Sequence, residues 1–201
     1  MIDLLVAVLL TADQVVLDNE YVRVTRDAAP CAAGSSRDCG ARVIVALDEL
    51  VLAGGMLRRA MTRGDIAVFQ PGESHAPPTG GAYVEVAIKP GHPPVQSPAE
   101  IIAPEKNATR YDGKEFFVFE EKLAPGDTRA RHSHSQRVVI QLNEARLEQW
   151  PDGQPPLFVE TVPERVTFSA PLIHVVKNVG ETPLRGIVIE FKPEPAGATS
   201  R

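Results

Sequence analysis

Two histidines one residue apart, His132 and His134, lie in the stretch GDTRARHSHSQRVVIQL, residues 126–142, just ahead of an apolar run. Side chains two apart on a strand point to the same face, so both imidazoles are expected on one side. His174, in APLIHVVKN (170–178), sits in a later apolar run and offers a third ring nitrogen. Imidazole binds Zn, Cu, Fe and Ni readily. Three nitrogens with coordination positions left open is a catalytic ligand count, because a closed structural site takes a fourth protein ligand. The competing reading is that the histidines only line a polar pocket. Gln136, two residues beyond His134, shares their face in an unbroken strand and is the candidate fourth ligand through its side-chain carbonyl.

Three arginines surround the histidine pair. Arg129, Arg131 and Arg137 could each hold the carboxylate or phosphate of a small acidic ligand through a bidentate contact, or could be solvated charge at a strand edge. Arg42 matches Arg137 in an internal repeat, which argues for a structural role shared by both. His75 and Cys39 are candidates for a vestigial second site. Cys39 is also a candidate for a disulfide with Cys31, in PCAAGSSRDCG, or for a free thiol.

These residues need a scaffold, and the chain repeats itself to make one. RVIVALDE (42–49) resembles RVVIQLNE (137–144), VFQPGESH ending at His75 resembles TFSAPLIH ending at His174, and VAIKP ending at Pro90 resembles IEFKP ending at Pro193. The matches keep their order, so two copies of one unit stand in tandem. Within each unit, short Val-, Ile- and Phe-rich runs alternate with turn sequences such as APGD, WPDGQPP and NVGETP, the pattern of strands. The expected fold is all-β, two small antiparallel barrels or sandwiches. The boundaries are a barrel over 15–92, a Pro-rich connection over 93–110, a second barrel over 111–195 and a tail over 196–201. Residues 1–14 are a hydrophobic first strand or a signal-like segment. LLVAVLL (4–10) has the length of a signal core but no basic residue before it. Periplasmic or secreted and cytoplasmic locations are equally expected.

Composition narrows the partners. The chain has 201 residues, a net charge of −5, and only one Trp, three Tyr and seven Phe. The basic stripe and stacking aromatics of a nucleic-acid binder are missing. No run approaches the roughly 20 apolar residues of a membrane helix. A small-molecule ligand is the expected partner, with a homodimer or an intramolecular pseudo-dimer as the assembly.

The second unit resembles a cupin barrel, and the whole chain a bicupin. A Gly, five residues, then His-x-His is the first motif of that family, and Gly126, His132 and His134 match it. His174 and Asn178 match the end of the second motif. Family spacing puts a Glu at position 138 or 139, where this chain has Val138 and Val139. The resemblance therefore implies at most a three-His site, as in cupins similar to thiol dioxygenases, holding a divalent transition metal (Fe, Mn, Ni or Zn). It implies a dioxygenase- or isomerase-like enzyme for a small metabolite, or else a cupin that binds a small ligand without metal. In the first unit Arg37 and Cys39 stand where the second has His132 and His134, so that barrel is expected to be degenerate.

Overall fold

The computed structural model describes residues 14–27, 40–54, 57–103 and 108–193. Cys31 and Cys39, the apolar segment 4–10 and the tail lie outside these residues. No helix occurs among the described residues. The first half contributes β1 (Gln14–Asp18), β2 (Val22–Arg26), β3 (Arg42–Ala46), β4 (Leu50–Gly54), β5 (Leu57–Met61), β6 (Ile66–Phe69) and β7 (Tyr83–Ile88). The second half contributes β8 (Ala108–Asp112), β9 (Phe116–Leu123), β10 (Thr128–His134), β11 (Arg137–Gln141), β12 (Ala145–Pro151), β13 (Leu157–Thr161), β14 (Val166–Ser169), β15 (Leu172–Asn178) and β16 (Leu184–Phe191).

Each half is a pair of sheets. The first has a five-stranded sheet ordered β1-β2-β7-β3-β6 and the β4-β5 hairpin; the second has β14-β11-β16-β9-β8 facing β10-β15-β12-β13. The sequence pattern explains this layering. On β11, Val138 and Ile140 point away from their own barrel, while Arg137, Val139 and Gln141 face into its cavity. The outward set joins Ile187, Ile189 and Phe191 of β16 in one buried cluster with Val22, Val24, Val43, Val45 and Val86 of the first half. The two five-stranded sheets thus share a single hydrophobic core. This is why β3 reads as an unbroken apolar run, since Val43 and Val45 enter the shared core while Ile44 and Ala46 pack inside their own barrel. Arg63 and Arg26 cross the junction to Glu164, at 3.3 and 2.8 Å, and Arg63 Nε also donates to the Leu142 carbonyl at 2.9 Å.

The two barrel interiors differ. The first is filled by Ile44, Leu50, Leu52, Met61 and Tyr83. The second keeps a cavity of about 480 Å³. The connection between the halves is strapped to the second barrel: Ile102 N–H donates to Ser133 Oγ at 2.7 Å, Ser133 N–H donates to the Ile102 carbonyl at 3.0 Å, and Gln96 N–H donates to Gln136 Oε1 at 2.9 Å. Strand β8 begins at Ala108, inside the segment read as connection.

Because the sheets bury a common core, the halves are expected to melt together. Ile187→Ala, fully buried in that core, should cost about 2–5 kcal/mol and move one calorimetric transition. Two transitions of which only one shifts would contradict the shared core.

Candidate metal centre

The turn before β10 sets the strand in place. Asp127 N–H donates to the Ala124 carbonyl at 3.0 Å across Ala124-Pro125-Gly126-Asp127, and Gly126 takes φ 83°. A type II turn needs a positive φ at that third residue, which accounts for the glycine. Asn178 locks the neighbouring corner. It is fully buried, donates to the Leu123 and Thr182 carbonyls at 2.9 and 2.8 Å, and accepts from Gly180 N–H at 3.0 Å.

Strand β10 pairs with β15 so that His132 stands opposite His174, and a register shift falls between Arg129 and His132. Regular alternation would put residues three apart on opposite faces. The bulge instead turns Arg129 and His132 both inward and leaves Ala130 and Arg131 outside. His132, His134 and His174 are all buried and offer nitrogens within 4.8 Å of one another.

The hydrogen bonds orient each ring. His132 Nδ1 lies 2.8 Å from the Ala130 carbonyl, His134 Nδ1 lies 2.8 Å from Glu190 Oε2, and His174 Nδ1 lies 3.2 Å from Gln149 Oε1. A carbonyl oxygen only accepts, so Nδ1 of His132 and of His174 carries the proton and Nε2 turns its lone pair to the centre, while His134 shares a proton with the Glu190 carboxyl. Outer partners of this kind orient metal-binding histidines. His132 Nε2 and His174 Nε2 are 3.1 Å apart. Two nitrogens bound to one ion at ~2.0–2.1 Å lie roughly 3 Å apart, so the residues present fit a divalent transition metal.

Burial lowers the pKa of His132 to about 4, and nearby His134, Arg129 and Arg137 act in the same direction. Burial takes His134 and His174 to about 3, with Arg137 and Arg129 adding to the effect. All three rings are therefore neutral at pH 7 and ready to donate lone pairs. Burial pushes Glu190 up to about 7, against the Ser135 N–H (2.7 Å) and the Arg137 charge.

The other residues named from the sequence separate. Gln136 is buried, but its side-chain carbonyl accepts from Gln96 N–H and ties the interbarrel strap. Arg137 lines the cavity and gives Nη1 to the Ser135 and Ala170 carbonyls at 3.2 and 2.9 Å. Arg129 is buried against Glu121 (3.7 Å) and the Lys122 carbonyl (3.2 Å). Arg131 is on the surface, paired with Asp152 at 2.6 Å and Glu100 at 3.2 Å. In the first barrel His75 is buried 3.4 Å from Glu85, outside any cluster of three metal-ligating groups among the described residues.

Three residues of the centre escape sequence reasoning. Glu190 and Gln149 orient His134 and His174, and Glu121 places a carboxyl in the cavity. Burial raises the Glu121 pKa, Glu190 adds to this, and Arg129 and Arg137 oppose it. The available signal was a Glu inside apolar strands, in FFVFEE and GIVIEF.

No family model matches the chain, and no curated protein matches it. Solved structures do. A Cupin 2 conserved barrel domain protein from Leptotrichia buccalis superposes with a TM-score of 0.54 at 13% identity, over 90% of this chain and 88% of that one. AerE from Microcystis aeruginosa gives 0.51 at 16% identity, over 87% and 88%. The chain has a two-domain cupin fold. Oxalate decarboxylase from Bacillus subtilis, a protein with Mn(II) centres, matches this double cupin with a TM-score of 0.53 at 12% identity, over 88% of this chain and 70% of that one. In the double cupin studied here, Val139 faces the cavity on the strand where family spacing would place a Glu.

Acid should destabilise the metal-free protein. The unfolded histidines titrate near 6.5 and the folded ones near 3 to 4, so unfolding takes up protons in between. Their contribution to stability is present above pH 6.5 and lost as pH falls. Glu190 and Glu121, both raised, release protons on unfolding and offset part of this. Three groups against two leaves a net fall in unfolding free energy of roughly 1–3 kcal/mol per pH unit between pH 6 and 4.5. Denaturant melts of EDTA-treated protein across that range measure it; stability that stays flat or rises with acid would contradict the assignment.

Proposed function

We propose that this double cupin is a metal-dependent enzyme, dioxygenase- or isomerase-like, that acts on a small metabolite in its C-terminal cavity. His132, His134 and His174 would hold a divalent Fe, Mn, Ni or Zn. One observation carries the reading: the Nε2 atoms of His132 and His174, both left as lone pairs by their Nδ1 bonds, face each other at 3.1 Å. Two lone pairs at that distance in a buried site repel, and a shared cation turns the contact into an attraction. The Mn(II) centres of a protein with the same fold support it.

A bound divalent ion supplies Lewis-acid polarisation of a substrate oxygen, and Fe or Mn adds a one-electron couple. The chain's own groups do the rest. Glu190 and Gln149 hold the rings in orientation. Arg137 offers a fixed cation to an acidic substrate. Glu121, a mostly buried carboxyl 3.7 Å from Arg129, can hold or pass a proton at its Oε atoms.

A second reading draws on Val139, which brings no donor to the position of the family carboxylate. On that reading the chain is a cupin that binds a small ligand without metal and without catalysis.

Metal analysis of tag-free protein from metal-replete culture decides between them. The proposal expects about one ion per chain, lost in His132→Ala, His134→Ala and His174→Ala. Glu190→Ala should weaken metal affinity about 10–100-fold. Metal far below one per chain, with ligand-induced rises in Tm that persist in chelator, would instead establish the second reading.

A further inference from the structure

The C-terminal cavity holds a cation with no carboxylate in direct contact, although Glu190 and Glu121 act on it from further away. Arg137 is only 8% exposed. Its Nη1 is bound by two neutral carbonyls, and no described carboxylate reaches its guanidinium within 4.0 Å. The acidic groups nearest to it are otherwise engaged. Glu190 gives one oxygen to His134 and the other to Ser135 N–H, and Glu121 faces Arg129. A buried guanidinium without a contacting carboxylate is costly, and a ligand anion placed on it lowers that cost.

The cavity also has a direction. Arg137 pairs in register with Glu190, which bonds His134, so it stands at the histidine end of β11 and β16. On β15, Val176 follows His174 on the same face and packs with Leu147, Leu184 and Leu123. Leu147, Val159, Val176 and Leu184 all line the cavity. Leu184 lies six residues from Glu190 along β16, roughly 20 Å at about 3.3 Å per residue. Ring nitrogens and the Arg137 guanidinium therefore stand at one end, and the four apolar side chains form a patch toward the other, where Glu121 and Gln141, both in register with Gly186, also line the cavity. A very small polar acid would leave the apolar patch without a partner.

We propose that this cavity binds a small carboxylic acid with an apolar chain, its carboxylate on Arg137 beside the three histidines and its chain running past Val176 toward Leu147, Val159 and Leu184. The proposal names the substrate class for the reading above and rests on that reading for the place of the carboxylate beside a metal.

Calorimetric titration of tag-free, Mn(II)-loaded protein with acetate, butanoate, hexanoate and hexanamide tests it. Each buried methylene should tighten binding roughly fourfold, so hexanoate should bind at least tenfold more tightly than acetate. Hexanamide, the same shape without the charge, should bind at least tenfold more weakly than hexanoate. Arg137→Met should bring hexanoate to the level of hexanamide while metal content is kept, and Val176→Phe should abolish the gain from acetate to hexanoate. The comparison of the four ligands on the unaltered protein stands even where a variant does not fold. Equal affinity for all chain lengths, or for amide and acid, with metal bound would overturn the proposal and leave the metal centre in place. Protein that takes up no Mn(II) but keeps the order hexanoate over acetate and over hexanamide would overturn the metal reading and uphold the acid site.

Discussion

The structure turns on two ring nitrogens held 3.1 Å apart with their lone pairs toward each other. Neither can relieve the contact by moving its proton. The Ala130 carbonyl and the Gln149 side chain have taken the other nitrogen of each ring, and burial keeps both rings neutral. His134 completes the set, its ring oriented by Glu190. What the fold builds is a preorganised trio of donors rather than a trio of spare histidines.

The rest of the chain can be read as support for that trio. The bulge in β10 brings Arg129 and His132 to the same buried side of the strand. The strap from the interbarrel segment clips the outer side of the same strand at Ser133, between the two histidines, and its second clip uses Gln136. The first barrel, its interior filled with hydrocarbon, covers the back of the β11–β16 sheet through the common core. The first half has a physical task here: it buries the face that would otherwise expose Val138, Ile140, Ile187 and Ile189.

Much of this was legible in the sequence. The repeat, the strand runs and the His-x-His motif give the double barrel, the convergence of His132, His134 and His174, and the missing motif carboxylate. Asn178, read from the sequence as the end of a motif, holds a corner through its buried amide. The orienting groups were not legible. Glu190 and Gln149 lie 56 and 25 residues from the histidines they serve, and nothing local marks them apart from a charge in an apolar strand. The bulge hid the inward turn of Arg129, because strict alternation puts it opposite His132. Gln136 looked like a ligand by the same alternation, but the chain turns out of β10 at His134 before reaching it. The three arginines had one signal between them and three fates: surface pair, buried neighbour of Glu121, and cavity cation.

Nitrogen-15 NMR of histidine-labelled protein measures the central claim directly. At pH 7 without metal, the account predicts that His132, His134 and His174 are neutral and protonated on Nδ1, and that one equivalent of Zn(II) shifts their Nε2 resonances while Nδ1 keeps its proton. Imidazolium signals, protons on Nε2, or spectra indifferent to Zn(II) would contradict it.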